Sequence, residues 1–230
     1  MADETALYNP KMSFARVFAA QPGIPKGHLV SVETDVSRGL HAFSIVGLPD
    51  KAVEEARDRI SSAIKHTNEG WKPPKSTNKK ITVSLAPATL KKEGAVFDLP
   101  LALSYLLASE DISFDPKKIL FAGELSLDGT LRPIRGALSI AQVARAKGMD
   151  ALVLPIENAA EAALIDGLAV YGAESLGDVV AHLTSEEKNV LIVAKRPVFS
   201  DEHDDDAPLD EIRGQEHAKR ALEVAAAGAH

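Results

Sequence analysis

The stretch ITVSLAPATLKKEGAVFDLPLAL, Ile81–Leu103, carries a strand, a loop and a buried helix in succession, and its reading sets the fold class. Ile81, Val83 and Leu85 alternate with Thr82 and Ser84, the two-residue period of a strand with one buried face. Beyond the loop, FDLPLALSYLLAS (residues 97–109) is apolar nearly all round. A helix with no polar face is expected in the middle of a domain, covered on every side.

The flanking segments fit a sheet covered by helices. Upstream, SFARVFAAQ, LVSVETDVS and LHAFSIVG read as strands, punctuated by Pro22-Gly23, Pro25 and Arg38-Gly39. Next, DKAVEEARDRISSAIKHTN changes period: Val53, Ala56, Ile60, Ala63 and Ile64 share one helical face, with Glu55 and Arg59 spaced to pair on the outside. Downstream, ILFAGELSLDGTLRPI places Asp128-Gly129 between apolar arms, the signature of a tight hairpin turn. Helix GALSIAQVARAKG, strand ALVLP, helix ENAAEAALID, strand LAVYG and helix SLGDVVAHL follow, an alternation that implies parallel strands with helices packed on the sheet. The expected class is therefore α/β.

Composition bounds the function. The 230 residues are 45% hydrophobic and 26% charged, enough apolar material to bury a core without crosslinks. No cysteine occurs, which removes disulfides, thiolate metal sites and cysteine nucleophiles and suits a reducing cytoplasm. The first residues, MADETALYNPKMSFARVFAAQ, contain early acids and no sustained apolar run, so no signal peptide or membrane span is read there; the expected location is cytoplasmic. A net charge of -7 argues against coating nucleic acid by bulk electrostatics and leaves room for a local basic patch. The seven histidines, His28, His41, His66, His182, His203, His217 and His230, have no helical pairing for a metal, and no metal site is expected. The run DEHDDD at 201–206 reads as a solvated linker or as a loose divalent-cation contact.

Several segments carry a family resemblance. GELSLDGTLRPIRGALSIAQVARAKGMDALVLPIEN resembles the C-terminal half of the Lon protease domain, and KKEGAVFDLPLAL resembles the Lon segment that carries its nucleophile. Together with SIVGLPDKAVEEARDRISSAI and IRGQEHAKRALEVAAAGAH, they resemble the Mg-chelatase-like AAA+ ATPases of the ComM or YifB family, over about Ser13 to His230. The resemblance implies a Lon-protease-like domain (a ribosomal-protein-domain-2-like fold with a mixed sheet) over residues 1–184, an acidic linker over 185–208, and the start of an AAA+ module over 209–230. It also implies that a strand and a phosphate-binding loop follow His230, this chain being truncated before them. No G-x-x-x-x-G-K-[ST] occurs in these residues, so no cofactor is expected here, while ATP and Mg are expected for the full-length protein. The implied partners are its own AAA+ module, the other subunits of a homo-hexamer and, as a further option, DNA, with no membrane.

The same resemblance locates candidate sites. A Ser-Lys dyad needs a hydroxyl and an amine within reach of each other. The alignment places Val96 at the nucleophile and Leu138 at the general base, so neither catalytic group is present; the nearby Ser139 is a hydroxyl that could serve instead, and it also reads as an ordinary surface or packing serine on a helix face. Ile212, Gly214 and Gln215 resemble the AAA+ turn near the adenine, and they also read simply as the start of a helix. In WKPPKSTNKK, Lys72, Lys75, Lys79 and Lys80 beside Trp71, with Lys91 and Lys92 nearby, form the candidate phosphate-contacting surface, the indole being available to stack on a base. The other reading is a solvated loop with Trp71 tucked against the domain. Three functions stand open: a recognition and assembly domain of an ATP-driven DNA-remodelling motor acting in natural transformation, a subunit that inserts metal into a tetrapyrrole, and a Lon-type peptidase, which the two replacements oppose.

Overall fold

Ile81, Val83 and Leu85 are fully buried on one face of a strand, as their alternation predicts. The computed structural model describes residues 13–185, 191–197 and 212–228. Among them the strands are β1 (Ser13–Gln21), β2 (His28–Arg38), β3 (Ala42–Val46), β4 (Lys79–Ala86), β5 (Ile119–Phe121), β6 (Glu124–Leu125), β7 (Leu131–Arg132), β8 (Ala151–Pro155) and β9 (Ala169–Ala173). The helices are α1 (Lys51–Thr67), α2 (Asp98–Ala108), α3 (Ala137–Ala146), α4 (Ile156–Ala162), α5 (Leu176–Thr184) and α6 (Glu216–Ala227).

Seven strands make one mixed sheet in the order β3-β4-β2-β1-β5-β8-β9. β1, β2 and β4 pair antiparallel, while β3 runs parallel to β4 and β5, β8 and β9 run parallel to their neighbours. The helices between β5, β8 and β9 supply the crossovers that parallel pairing needs. β6 and β7 form the separate hairpin foreseen from Asp128-Gly129, with Gly129 at φ +90° and Ser126 N donating to Thr130 O across the turn. Its arms are short because Ile119–Phe121, read as part of the same arm, joins the main sheet instead.

The two faces of the sheet are marked by adjacent residues of β9. Tyr171 meets the His182 ring of α5 at 4.6 Å, whereas Gly172 lies against Ile156 and Ala159 of α4. Successive strand residues point to opposite faces. On the α5 side, α2 packs across β1 and β2, its Ser104 hydroxyl 2.7 Å from that of Thr34, and α1 packs on α2. Val53, Ala56, Ile60, Ala63 and Ile64, the apolar face read from the sequence, are all fully buried there. Val53, Ile60 and Ile64 each contribute roughly 1.5–3 kcal/mol relative to exposure. The chain divides into two units, Met1–Pro197 and Val198–His230. Residues 191–197, inside the stretch read as linker, belong with the first: Leu191 is buried, Ala194 N donates to Val170 O of β9 at 2.7 Å, and Arg196 pairs with Asp166.

One expectation for α1 is overturned. Arg59 does not pair outward with Glu55, whose carboxylate lies 3.8 Å from Lys51 instead. Arg59 turns inward and grips Asp98, at the first position of α2, with Nε at 2.7 Å and Nη2 at 2.9 Å from the two carboxylate oxygens. Asp98 is fully buried and also accepts from Leu125 N, so a cation on α1 is drawn to a carboxylate that has no water. Arg59 Nη2 further donates to Ala52 O, fixing its own fork.

Burial pushes the Asp98 carboxyl up to about 6, with Arg59 and the Leu125 N–H pulling the other way. An unfolded aspartate titrates near about 3.9, so between about pH 4 and 6 the folded chain holds the extra proton and its stability falls as pH rises through that window. Carbon-detected titration should place the Asp98 carboxyl near 6, and Asp98→Asn should remove that part of the pH dependence of the urea midpoint. Arg59→Met should cost about 3–5 kcal/mol in urea unfolding, the cost of an uncompensated buried charge, and Arg59→Met with Asp98→Asn should recover a large part of it.

Candidate functional site

Two loops that the resemblance singles out, Gly47–Asp50 and Lys92–Gly94, are locked to each other. Lys92 N donates to Leu48 O at 3.0 Å and Asp50 N donates to Lys92 O at 2.9 Å. Asp50 caps α1 by accepting from Val53 N at 2.8 Å, and its second oxygen accepts from Gly94 N at 3.1 Å. The Lys92 side chain is fully buried, its ammonium donating to Gly47 O at 2.8 Å and to Pro87 O. Burial pulls the pKa of Lys92 down. Gly47 is required where it stands: its φ is +104°, and a Cβ there would lie 2.1 Å from Leu85 O. Lys92, read in the sequence as a neighbour of the phosphate-contacting lysines, therefore faces inward and is unavailable to phosphate.

The two positions that the resemblance assigns to a dyad hold hydrocarbon. Val96 is buried in a short 3₁₀ turn, Ala95–Phe97, that leads into α2, and its carbonyl accepts from Gly123 N at 3.0 Å. Leu138 stands in the first turn of α3, half-buried, with its backbone N–H donating to Glu161 Oε1 at 3.0 Å. Neither side chain can attack a carbonyl or take a proton. Ser139, the one alternative hydroxyl, donates to Gly23 O at 3.0 Å and accepts from Gly23 N at 3.3 Å. Its one proton is committed to Gly23 O, and the two bonds tie α3 to the β1–β2 connection.

The lysine-rich segment is anchored at both ends. Trp71 is half-buried and packs against the hydrophobic core, and the Tyr105 hydroxyl donates to Lys72 O at 2.6 Å. Burial pushes the Tyr105 hydroxyl up to about 12, so it remains a donor. Pro74 and Thr77 are buried as well. Trp71, Lys72 and Lys75 come together with Lys65, Ser61 and Asp58 around a groove of about 920 Å³. Lys75 lies 2.5 Å from Asp58, and that hydrogen bond holds the Asp58 carboxyl below the usual carboxylate range. Lys79 and Lys80 open β4 instead, opposite Arg38 and Ser37 of β2. The four lysines thus divide between the groove and the sheet end, and one of the groove lysines already has a counter-ion.

Other positions are placed plainly. Ile212 is half-exposed, and Gly214 and Gln215, at φ +74° and +58°, form the left-handed turn that starts α6. Described within its own unit, α6 has no buried residue: Leu222 and Val224 are 57% and 56% exposed. The 201–206 acidic run lies outside the described residues. Among the described residues no group of His, Asp and Glu side chains is arranged to hold a metal, and no helix is long and apolar enough to cross a membrane. The sequence reading missed the inward roles of Arg59, Asp98 and Lys92. A signal existed for Asp98: an acid heading a helix with no polar face has no route to water.

Comparison with known proteins agrees with these motifs. Residues 32–158 match the family of subunit ChlI of Mg-chelatase. The competence protein ComM of Haemophilus influenzae is 40% identical over 222 residues, covering 95% of this chain and 42% of that protein. The uncharacterized protein YifB of Escherichia coli is 41% identical over 208 residues, covering 87% of this chain and 38% of that protein. An uncharacterized protein of Mycobacterium tuberculosis is 37% identical over 221 residues, again 95% of this chain and 42% of the relative. The chain spans about two fifths of the length of these relatives. By family match and by identity along nearly its whole length, the chain belongs to the Mg-chelatase-like family that includes ComM and YifB.

Proposed function

We propose that this chain is the non-proteolytic recognition and assembly domain of a Mg-chelatase-like AAA+ ATPase, and that the full-length protein remodels branched DNA during uptake and recombination. The observation that carries the reading is the pairing of a protease-like motif order with hydrocarbon at both reactive positions, Val96 buried and Leu138 held by Glu161. A domain of Lon-like architecture without its dyad keeps only its surfaces for work. The likeness to a competence protein along 95% of the chain points those surfaces toward DNA. In this reading residues 1–184 form the Lon-like domain, 185–208 the linker and 209–230 the entry to the ATPase module, with Ile212, Gly214 and Gln215 near its nucleotide, and with ATP and Mg bound by the full-length protein as a cytoplasmic homo-hexamer.

DNA contact is assigned to Trp71, Lys72, Lys75, Lys79 and Lys80. The local concentration of lysine supplies phosphate contacts that the net charge of -7 denies to most of the surface. Six copies around a ring would make weak contacts useful, because each contact after the first is effectively intramolecular. The family match to the ChlI subunit favours a second reading, ATP-driven metal insertion into a tetrapyrrole. The two are separated by assaying the full-length protein for branch migration and for metallation of a porphyrin.

Replacing Lys72, Lys75, Lys79 and Lys80 together by Ala in the full-length protein should weaken binding to single-stranded and branched DNA at low salt and make the dependence of log K on log salt shallower by about 2–3. Asp58→Asn, which releases Lys75 from its counter-ion, should strengthen binding and steepen that slope. Equal binding by wild type and the four-lysine variant would remove the DNA assignment. The chain should also leave an unfolded protein substrate uncut, with Ser139→Ala changing nothing; cleavage abolished by Ser139→Ala would overturn the non-proteolytic reading.

A further inference from the structure

We propose that the cleft between the β1–β2 connection, the loop after β4 and the end of α3 is a docking site for an acidic, aliphatic peptide segment of a partner protein. The cleft encloses about 880 Å³ and is distinct from the lysine groove beside Trp71. Its walls are aliphatic: Pro25 and Leu29 on one side, Leu90 on another and Val143 of α3 at the base. Its basic side chains are Lys26, His28 and Lys147, and no carboxylate lines it.

That absence is informative in a chain with 33 acids against 26 Lys and Arg residues. Lys51, Lys75, Lys91, Lys117 and Lys219 each lie against a carboxylate, while Lys65, Lys72, Lys79, Lys80 and Lys118 form no ion pair among the described residues; what sets the cleft apart is a lining with basic groups and no acid. Neither Lys26 nor Lys147 makes an ion pair among the described residues, and both are exposed. Two unneutralised lysines around an aliphatic floor therefore present positive potential to whatever enters, and a partner carrying carboxylates meets it with no acid of this chain lining the cleft in competition. The walls favour an aliphatic ligand over nucleic acid: no Trp, Tyr or Phe lines the cleft, the His28 imidazole being its single ring, whereas Leu, Ile or Val side chains match Pro25, Leu29, Leu90 and Val143.

The cleft is also preformed. Ser139 holds α3 to Gly23 through two hydrogen bonds, and a Cβ on Gly27 would come within 2.9 Å of the Ser139 hydroxyl and 3.0 Å of Val143. The β1–β2 connection is therefore seated directly on the helix, and a peptide would not have to order it first. This inference does not rest on the DNA reading, and it uses none of the lysines assigned there.

The test is selection of a displayed random-peptide library on the chain, counter-selected on Lys26→Glu with Lys147→Glu, two exposed positions whose exchange leaves the apolar walls intact. Thermal unfolding of the double variant should match wild type. The expected result is enrichment of sequences in which Asp or Glu flank Leu, Ile or Val; a labelled representative should lose about tenfold or more in affinity on the double variant and weaken with added salt. Oligo-dT at equal concentration should leave that peptide in place. No enrichment, enrichment of acid-free sequences, equal binding to the double variant, or displacement by oligo-dT with the same dependence on Lys26 and Lys147 would each overturn the proposal, the last assigning the cleft to nucleic acid.

Discussion

A lysine ammonium held out of water organises one end of the sheet. Lys92 can be buried only because the Gly47 and Pro87 carbonyls converge on it, and each of those carbonyls belongs to a different connection. The strand end at Gly47, the turn after β4 and the loop before α2 are therefore joined at a single atom. Gly47 reaches this point only at positive φ, with its backbone pressed against Leu85. Asp50 closes the other side of the arrangement, capping α1 with one oxygen and binding Gly94 N with the other. One short segment thereby sets where α1 begins, where the loop before α2 lies, and how β3 meets β4.

The second buried charge acts on the opposite end of the same loop. Asp98 begins α2, and Arg59 from α1 binds both its oxygens, so α1 is tied at its start to the loop before α2 and at its middle to the helix itself. Removing either partner leaves a charge in a place that was shaped for two. Between these ties lies Val96, at the position where a protease of this motif order would carry its nucleophile. In the proposed reading the place of the reactive group is taken by a buried valine. Burial of polar atoms here fixes geometry without supplying reactive chemistry.

Two surfaces of the domain differ in kind. The groove beside Trp71 mixes lysines with Asp58, and its Lys75 is already engaged. The cleft beneath α3 has an aliphatic floor and lysines without counter-ions. In the proposed readings the first meets a polyanion that brings many weak contacts, and the second a ligand that combines apolar side chains with carboxylates.

Much of the architecture was legible in the residues themselves. Alternation at Ile81, Val83 and Leu85, the 3.6-residue period from Val53 to Ile64 and the Asp128-Gly129 turn each depend on local geometry, and each reappears as read. The identity of Val96 and Leu138 is likewise a property of the sequence, which is enough to remove the dyad's chemistry. What the tertiary structure alone decided was the direction of charged side chains. Arg59 had a partner four residues away at Glu55 and turned to one 39 residues away, because desolvation of Asp98 outweighs a solvent-exposed helical pair. Lys92 stood among surface lysines in the sequence and is the most deeply buried of them. Lys26, His28 and Lys147 lie far apart along the chain and gather around one cleft only after β1, β2 and α3 have packed. Period and turn chemistry are local and survive in a string of letters; the environment of a charge is set by residues distant in sequence, and only the folded chain supplies them.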